Sequence, residues 1–94
     1  MRFIQIIESE SDPAEELAKV QGYAEQMAGE TNARRATVCG DRDRPGVTLM
    51  IVEFDSAESA AENDEKAGTQ EAAAENPDGT TFRNLDVHGV VDIK

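Results

Sequence analysis

Tryptophan is absent from this 94-residue chain, tyrosine and cysteine occur once each, and aromatic residues make up 4% of it. One cysteine, Cys39, excludes an intrachain disulfide and any Cys-x-x-Cys metal or cluster loop. An isolated cysteine in a strand-like stretch reads as a small core residue, and a reducing cytoplasm is the expected setting. Basic residues are scarce, with nine Lys and Arg against 20 Asp and Glu and a formal charge of -11. So acidic a chain lacks the basic footprint that phosphate binding needs, which excludes nucleic acid and anionic membrane surfaces as partners. The few aromatics also argue against base stacking on a sheet. No long apolar run stands behind a basic start, so neither a signal peptide nor a membrane span is expected.

What is present is a regular alternation of strand and helix signals over residues 1–94, read as a single domain. Arg2–Glu8 is β-branched and aromatic, with Phe3 and Ile7 on one face and Ile4 and Ile6 on the other. Asp12-Pro13-Ala14-Glu15 has the residues of a capped helix start. Leu17, Val20, Ala24 and Met27 then form an apolar stripe flanked by Tyr23, while Glu16, Lys19, Glu25 and Gln26 are expected in water. Gly29 is the expected stop. Arg34–Gly40 and Val47–Phe54 read as strands joined by the turn Asp41–Gly46, hence antiparallel. Asp55-Ser56-Ala57-Glu58 repeats the capping-box spacing and opens a second helix with a small-residue face at Ala57, Ala60 and Ala61. Lys66-Ala67-Gly68 should interrupt it, Thr69-Gln70-Glu71 should restart it, and Asn76–Gly79 should end it. Thr81–Ile93 is the expected last strand, with Leu85, Val87, Val91 and Ile93 on one face and Asn84, Asp86, His88 and Asp92 on the other. Phe82 is out of phase, which calls for a bulge or bend near Arg83.

The order β-α-β-β-α-β is that of a ferredoxin-like α+β sandwich with an antiparallel sheet, its first and third strands central. Right-handed crossovers place both helices on one sheet face. The other face then carries either the Phe3 and Ile7 set or the Ile4 and Ile6 set, with one apolar set of Val47–Phe54. Each large aliphatic side chain among them contributes roughly 1.5–3 kcal/mol when removed from water. A second copy of the chain is the expected cover, forming a homodimeric α/β barrel.

Met1-Arg2-Phe3-Ile4-Gln5 and Glu53-Phe54-Asp55-Ser56-Ala57-Glu58-Ser59-Ala60-Ala61, with Asn63 following, resemble the dimeric α/β-barrel superfamily. The likeness is to small bacterial members related to antibiotic-biosynthesis-monooxygenase-like proteins, and the segment order matches over the whole chain. It implies a homodimer with facing sheets and a small-molecule cavity beside each sheet. Members of the superfamily include cofactor-free monooxygenases, haem-degrading enzymes and lactone isomerases. Monooxygenase and haem-degrading members use an Asn, a Trp and sometimes a His around the cavity. Asn63 matches the first, no Trp exists, and the sole histidine, His88, is on the last strand.

Four residues stand out as candidate ligand contacts. His88 follows Asp86 at strand spacing, so a carboxylate could orient an imidazole general base. Gln5 interrupts an apolar strand, and a buried amide needs hydrogen-bonding partners. Asn63 enters through the resemblance. The arginines 34, 35, 42 and 44 read as a solvated guard on a strand edge. Glu62, Asp64 and Glu65 are scattered by helical spacing without a His or Cys, so no metal is expected, nor any cofactor. Two functions are left open. One is binding, and cofactor-free oxygenation or isomerisation, of a small apolar or aromatic molecule. The other is a non-catalytic interaction dimer with a filled core.

Overall fold

The computed structural model describes residues 2–74 and 76–94, with only the backbone of Ala67, Gly68, Glu71 and Ala72. Met1, the first residue of the resembling stretch, lies outside the described residues, as does the Glu71 side chain. The elements run β1 (Phe3–Glu10), α1 (Pro13–Gln26), β2 (Arg35–Gly40), β3 (Val47–Phe54), α2 (Ala57–Asp64), α3 (Ala67–Ala74) and β4 (Thr81–Asp86). The four strands form one sheet in the order β2-β3-β1-β4, and every neighbouring pair is antiparallel. This is the ferredoxin-like arrangement, with α2 and α3 together in the place of its second helix.

Both helix starts follow from side-chain capping. The Asp12 carboxylate accepts from the Glu15 backbone N–H at 3.1 Å, with Pro13 in the first turn. The second helix is capped one residue later than the Asp55–Glu58 spacing predicts: the Ser56 hydroxyl accepts from the Ser59 N–H at 3.1 Å, while the Asp55 carboxylate is engaged by Arg34. The start of α1 is tied to the sheet, since Ser11 N–H donates to the Gly46 carbonyl at 2.9 Å and Thr48 Oγ1 to the Ser11 carbonyl at 3.0 Å. Gly46 closes the β2–β3 turn at φ +88, where an L side chain would be strained. Gly40 lets α1 approach, because a Cβ there would lie 3.0 Å from Pro13 Cγ.

The strand registers sort the side chains. Phe3 pairs with Phe54, Gln5 with Val52, Ile7 with Met50 and Ser9 with Thr48, so these share one face. Phe3 and Phe54 pack with Ala60 of α2 in the core, their rings 6.3 Å apart and tilted by 54°. The Phe3 and Ile7 set therefore faces the helices. Ile4, Ile6, Leu49, Ile51 and Cys39 point the other way, onto an open face, and are half-buried.

Two expectations about the last strand do not hold. Pairing with β1 is continuous from Thr81–Glu8 to Asp86–Phe3, so the chain has no bulge near Arg83. Phe82 simply shares the helix-side face with Asn84 and Asp86. The strand also ends at Asp86 instead of Ile93, because its partner β1 begins at Phe3. One further bond, Val87 N–H to the Arg2 carbonyl at 2.9 Å, closes the ladder. Beyond it the alternating sequence continues as an exposed tail, with Val90, Val91 and Ile93 at 72%, 84% and 95% exposure.

Candidate functional site

A cavity of about 1020 Å³ opens between the helix-side sheet face and the helices. Ile7, Met50 and Val52 contribute to its sheet wall, Val20, Tyr23 and Met27 to the α1 wall, and Thr69 and Ala73 to the α3 wall. A mostly apolar wall with a few polar groups is the usual make-up of a small-molecule pocket. The space exists because the second helical segment is broken. Helix α2 stops at Asp64 after the Ala60 contact, and α3 restarts at Ala67. Lys66, between them, donates to the Glu30 carbonyl and to Asn32 Oδ1, the latter at 3.1 Å. Tyr23 and Thr69 join α1 to α3 through hydroxyls 3.0 Å apart.

Gln5 and Asn63 both line this cavity, whereas Asp86 and His88 do not and are exposed. Gln5 Nε2 donates to Asn84 Oδ1 at 3.2 Å, across the β1–β4 register. Its carbonyl oxygen keeps acceptor capacity on the cavity side. Asn63 is 4% exposed. Its Oδ1 accepts from Thr31 Oγ1 at 3.3 Å and from the Asn32 N–H at 2.9 Å, so it fastens the loop after α1 onto α2. His88 follows Val87, the last residue tied to β1, and sits at the root of the tail.

The stripe on α1 differs from its sequence pattern. Glu16 is buried at 8% exposure, and Leu17 beside it is 46% exposed. The inward set is Glu16, Val20, Tyr23 and Met27, one helical face at four- and three-residue spacing. Sequence reasoning missed Glu16 because a hydrophobic ranking always prefers Leu17 for the inward position.

Ion pairs rim the open sheet face. Arg44 Nη2 meets Glu8 at 2.9 Å and its Nε meets Asp41 at 2.8 Å, while Arg83 lies 3.6 Å from Glu8. The Arg44 hydrogen bond holds the Glu8 carboxyl below its usual range. The same guanidinium and the Asp43 N–H lower that of Asp41. At the opposite end of β3, Arg35 and Arg2 reach Glu53 at 3.6 and 3.9 Å. Arg34 Nε and Nη2 both reach Asp55 Oδ2 at 2.9 Å. Three of the four clustered arginines are thus engaged in ion pairs.

The sheet order and the helix placement define a ferredoxin-like α+β protein. Its structural neighbours include proteins described as antibiotic biosynthesis monooxygenases, the group to which the sequence resemblance points. A candidate antibiotic biosynthesis monooxygenase from Deinococcus radiodurans superposes with a TM-score of 0.72 at 16% identity, covering 100% of this chain and 99% of that one. Rv0793 from Mycobacterium tuberculosis gives 0.73 at 11% identity, covering 98% and 100%. SnoaB, a cofactor-independent oxygenase from Streptomyces nogalater, gives 0.67 at 15% identity, covering 96% and 94%. No family model and no curated sequence matches the chain. Identities this low establish a shared fold.

Among the described residues no helix is long and apolar enough to cross a membrane.

Proposed function

We propose that the protein is a homodimer that binds a small apolar or aromatic molecule in the cavity between sheet and helices, and converts it without a cofactor by oxygenation or isomerisation. The observation that carries the binding reading is the roughly 1020 Å³ cavity with the Gln5 amide on its wall. A filled interior would have favoured a purely structural dimer. The oxygenase direction draws support from the likeness to SnoaB. Chemistry in this chain would need a different set of side chains from the one the resemblance implies, since there is no tryptophan and His88 stands away from the cavity. Asp86 and His88 would act only if ligand or partner reached the tail root. The lone Cys39 fits a reducing cytoplasm.

The second copy is the favoured cover for the open face for three reasons. Ile4, Ile6, Leu49 and Ile51 form an aliphatic strip across the two central strands. The strip ends in mixed-sign charge at both ends, so it suits a surface like itself better than one of single sign. The exposed tail carries further apolar side chains that its own chain leaves uncovered.

A thermal-shift screen with quinones, polyketide-like phenols, lactones and haem tests the binding reading. A ligand at a hundred times its dissociation constant adds about 2.7 kcal/mol of stability, and a raised Tm with any class supports it. No shift with any of them returns the non-catalytic dimer as the better account. Sedimentation equilibrium tests the dimer, which requires twice the mass of one 10.2 kDa chain.

A further inference from the structure

The inward stripe of α1 places a carboxylate where the fold would be served by an aliphatic side chain. Both Glu16 and Leu17 line the cavity, yet Glu16 is 8% exposed and Leu17 next to it is 46% exposed. Taking a carboxylate out of water is costly unless other groups compensate. Among the described residues the compensation is slight, and no side-chain oxygen there is both sealed from solvent and unpartnered, so the carboxylate keeps its opening to the cavity. Lys19 Nζ stands 3.5 Å from Glu16 Oε1, and the Lys19 side chain is 54% exposed. The same i,i+3 pair would form just as well with both groups in water. The capping role in the first turn belongs to Asp12, whose carboxylate accepts from the Glu15 N–H, so Glu16 has no part in it. The helix dipole favours an acid in this turn but does not require it to point inward. Local rules that a folded chain breaks without structural gain cluster at functional sites.

We infer that Glu16 is the specificity-determining group of the cavity, a hydrogen-bond acceptor for a hydroxyl on the bound molecule. This rests on the proposed binding function and narrows it to ligands that carry a phenol or enol O–H. A neutral hydroxyl suits the site better than a cationic amine, because Lys19 also lines the cavity and would repel a second positive charge. The hydroxyl donates to the carboxylate and its oxygen can accept from the Lys19 ammonium. An ether of the same shape would leave Glu16 desolvated and without a donor, which a polar site rejects strongly.

Calorimetric titration with two probes, naphthol and methoxynaphthalene, tests this on the wild type, Glu16→Gln and Glu16→Leu. The wild type should favour naphthol by about ten- to a hundredfold, the range for a hydrogen bond to a charged group. Glu16→Gln should keep part of that preference, since an amide oxygen still accepts, and Glu16→Leu should abolish it. Both variants should melt at or above the wild-type Tm, because a buried carboxylate is removed. Equal affinity of the wild type for both probes overturns the role of Glu16 and leaves the cavity reading intact. So does a preference unchanged in Glu16→Gln and Glu16→Leu, or a lower Tm in both with the probe ratio preserved. Failure of the wild type to bind either probe overturns the cavity reading and this inference with it.

Discussion

Two residues show how a single side chain decides what the fold can do. The resemblance makes Asn63 a ligand contact, yet its oxygen is fully used by Thr31 and Asn32 on the loop that follows α1. Replacing it with alanine leaves the half-buried Asn32 N–H without its partner, a loss of about 1 kcal/mol. Urea unfolding of Asn63→Ala should therefore show a lower midpoint with an unchanged slope, and a wild-type midpoint would remove the structural role. Glu16 shows the limit of pattern reading. Two stripes, Leu17-Val20-Ala24-Met27 and Glu16-Val20-Tyr23-Met27, share two members and differ by a modest rotation of the helix. Composition selects the first, whereas burial in the folded chain selects the second, with Leu17 and Ala24 left exposed. Gln5, by contrast, is legible in the sequence, because an amide set among four apolar neighbours must find a hydrogen-bonding partner wherever the strand is buried.

At the scale of elements, local chemistry sets most boundaries. The Asp12 cap and the Gly46 turn are written in single residues and appear where those residues stand, whereas the second cap falls on Ser56, one residue past the start that the Asp55–Glu58 spacing marks. The end of β4 is different. Alternation runs on to Ile93, but a strand lasts only as long as its partner, and β1 starts at Phe3. Periodicity reports which residues could pair, and the register reports which do. The tail beyond Val87 is consequently strand-like chain without a ladder, and its apolar side chains are expected to lie against the second copy. Deleting residues 88–94 should leave the far-ultraviolet circular dichroism of the sheet in place and shift the sedimentation mass toward one chain. A truncated protein that still sediments as a dimer assigns the association to the open sheet face alone.

Across the whole molecule, charge works against the association that apolar surface favours. Two copies at -11 each repel, and the repulsion reaches about 30 Å at 0.01 M salt but about 8 Å at physiological ionic strength. The dimer dissociation constant should fall as salt rises through that range, the opposite of an interface built on ion pairs, and sedimentation or light scattering reads the sign directly. Acid acts through the ion pairs beside the β2–β3 turn. Glu8 and Asp41 titrate below their ordinary values because of Arg44, so their contribution is complete above the ordinary carboxylate range and is lost as pH falls through the lowered values. The Tm difference between wild type and Arg44→Met should be largest near neutrality and shrink toward zero well below about pH 4. A difference independent of pH would mean that Arg44 acts through packing. The scarcity of aromatic residues has one last effect, on how the protein can be watched. With no tryptophan and one tyrosine, its intrinsic ultraviolet emission comes from a single phenol, Tyr23, whose hydroxyl bridges α1 to α3. An unlabelled sample thus carries a native optical reporter on the wall of its own pocket, dimming or brightening as guests arrive or the two helices part.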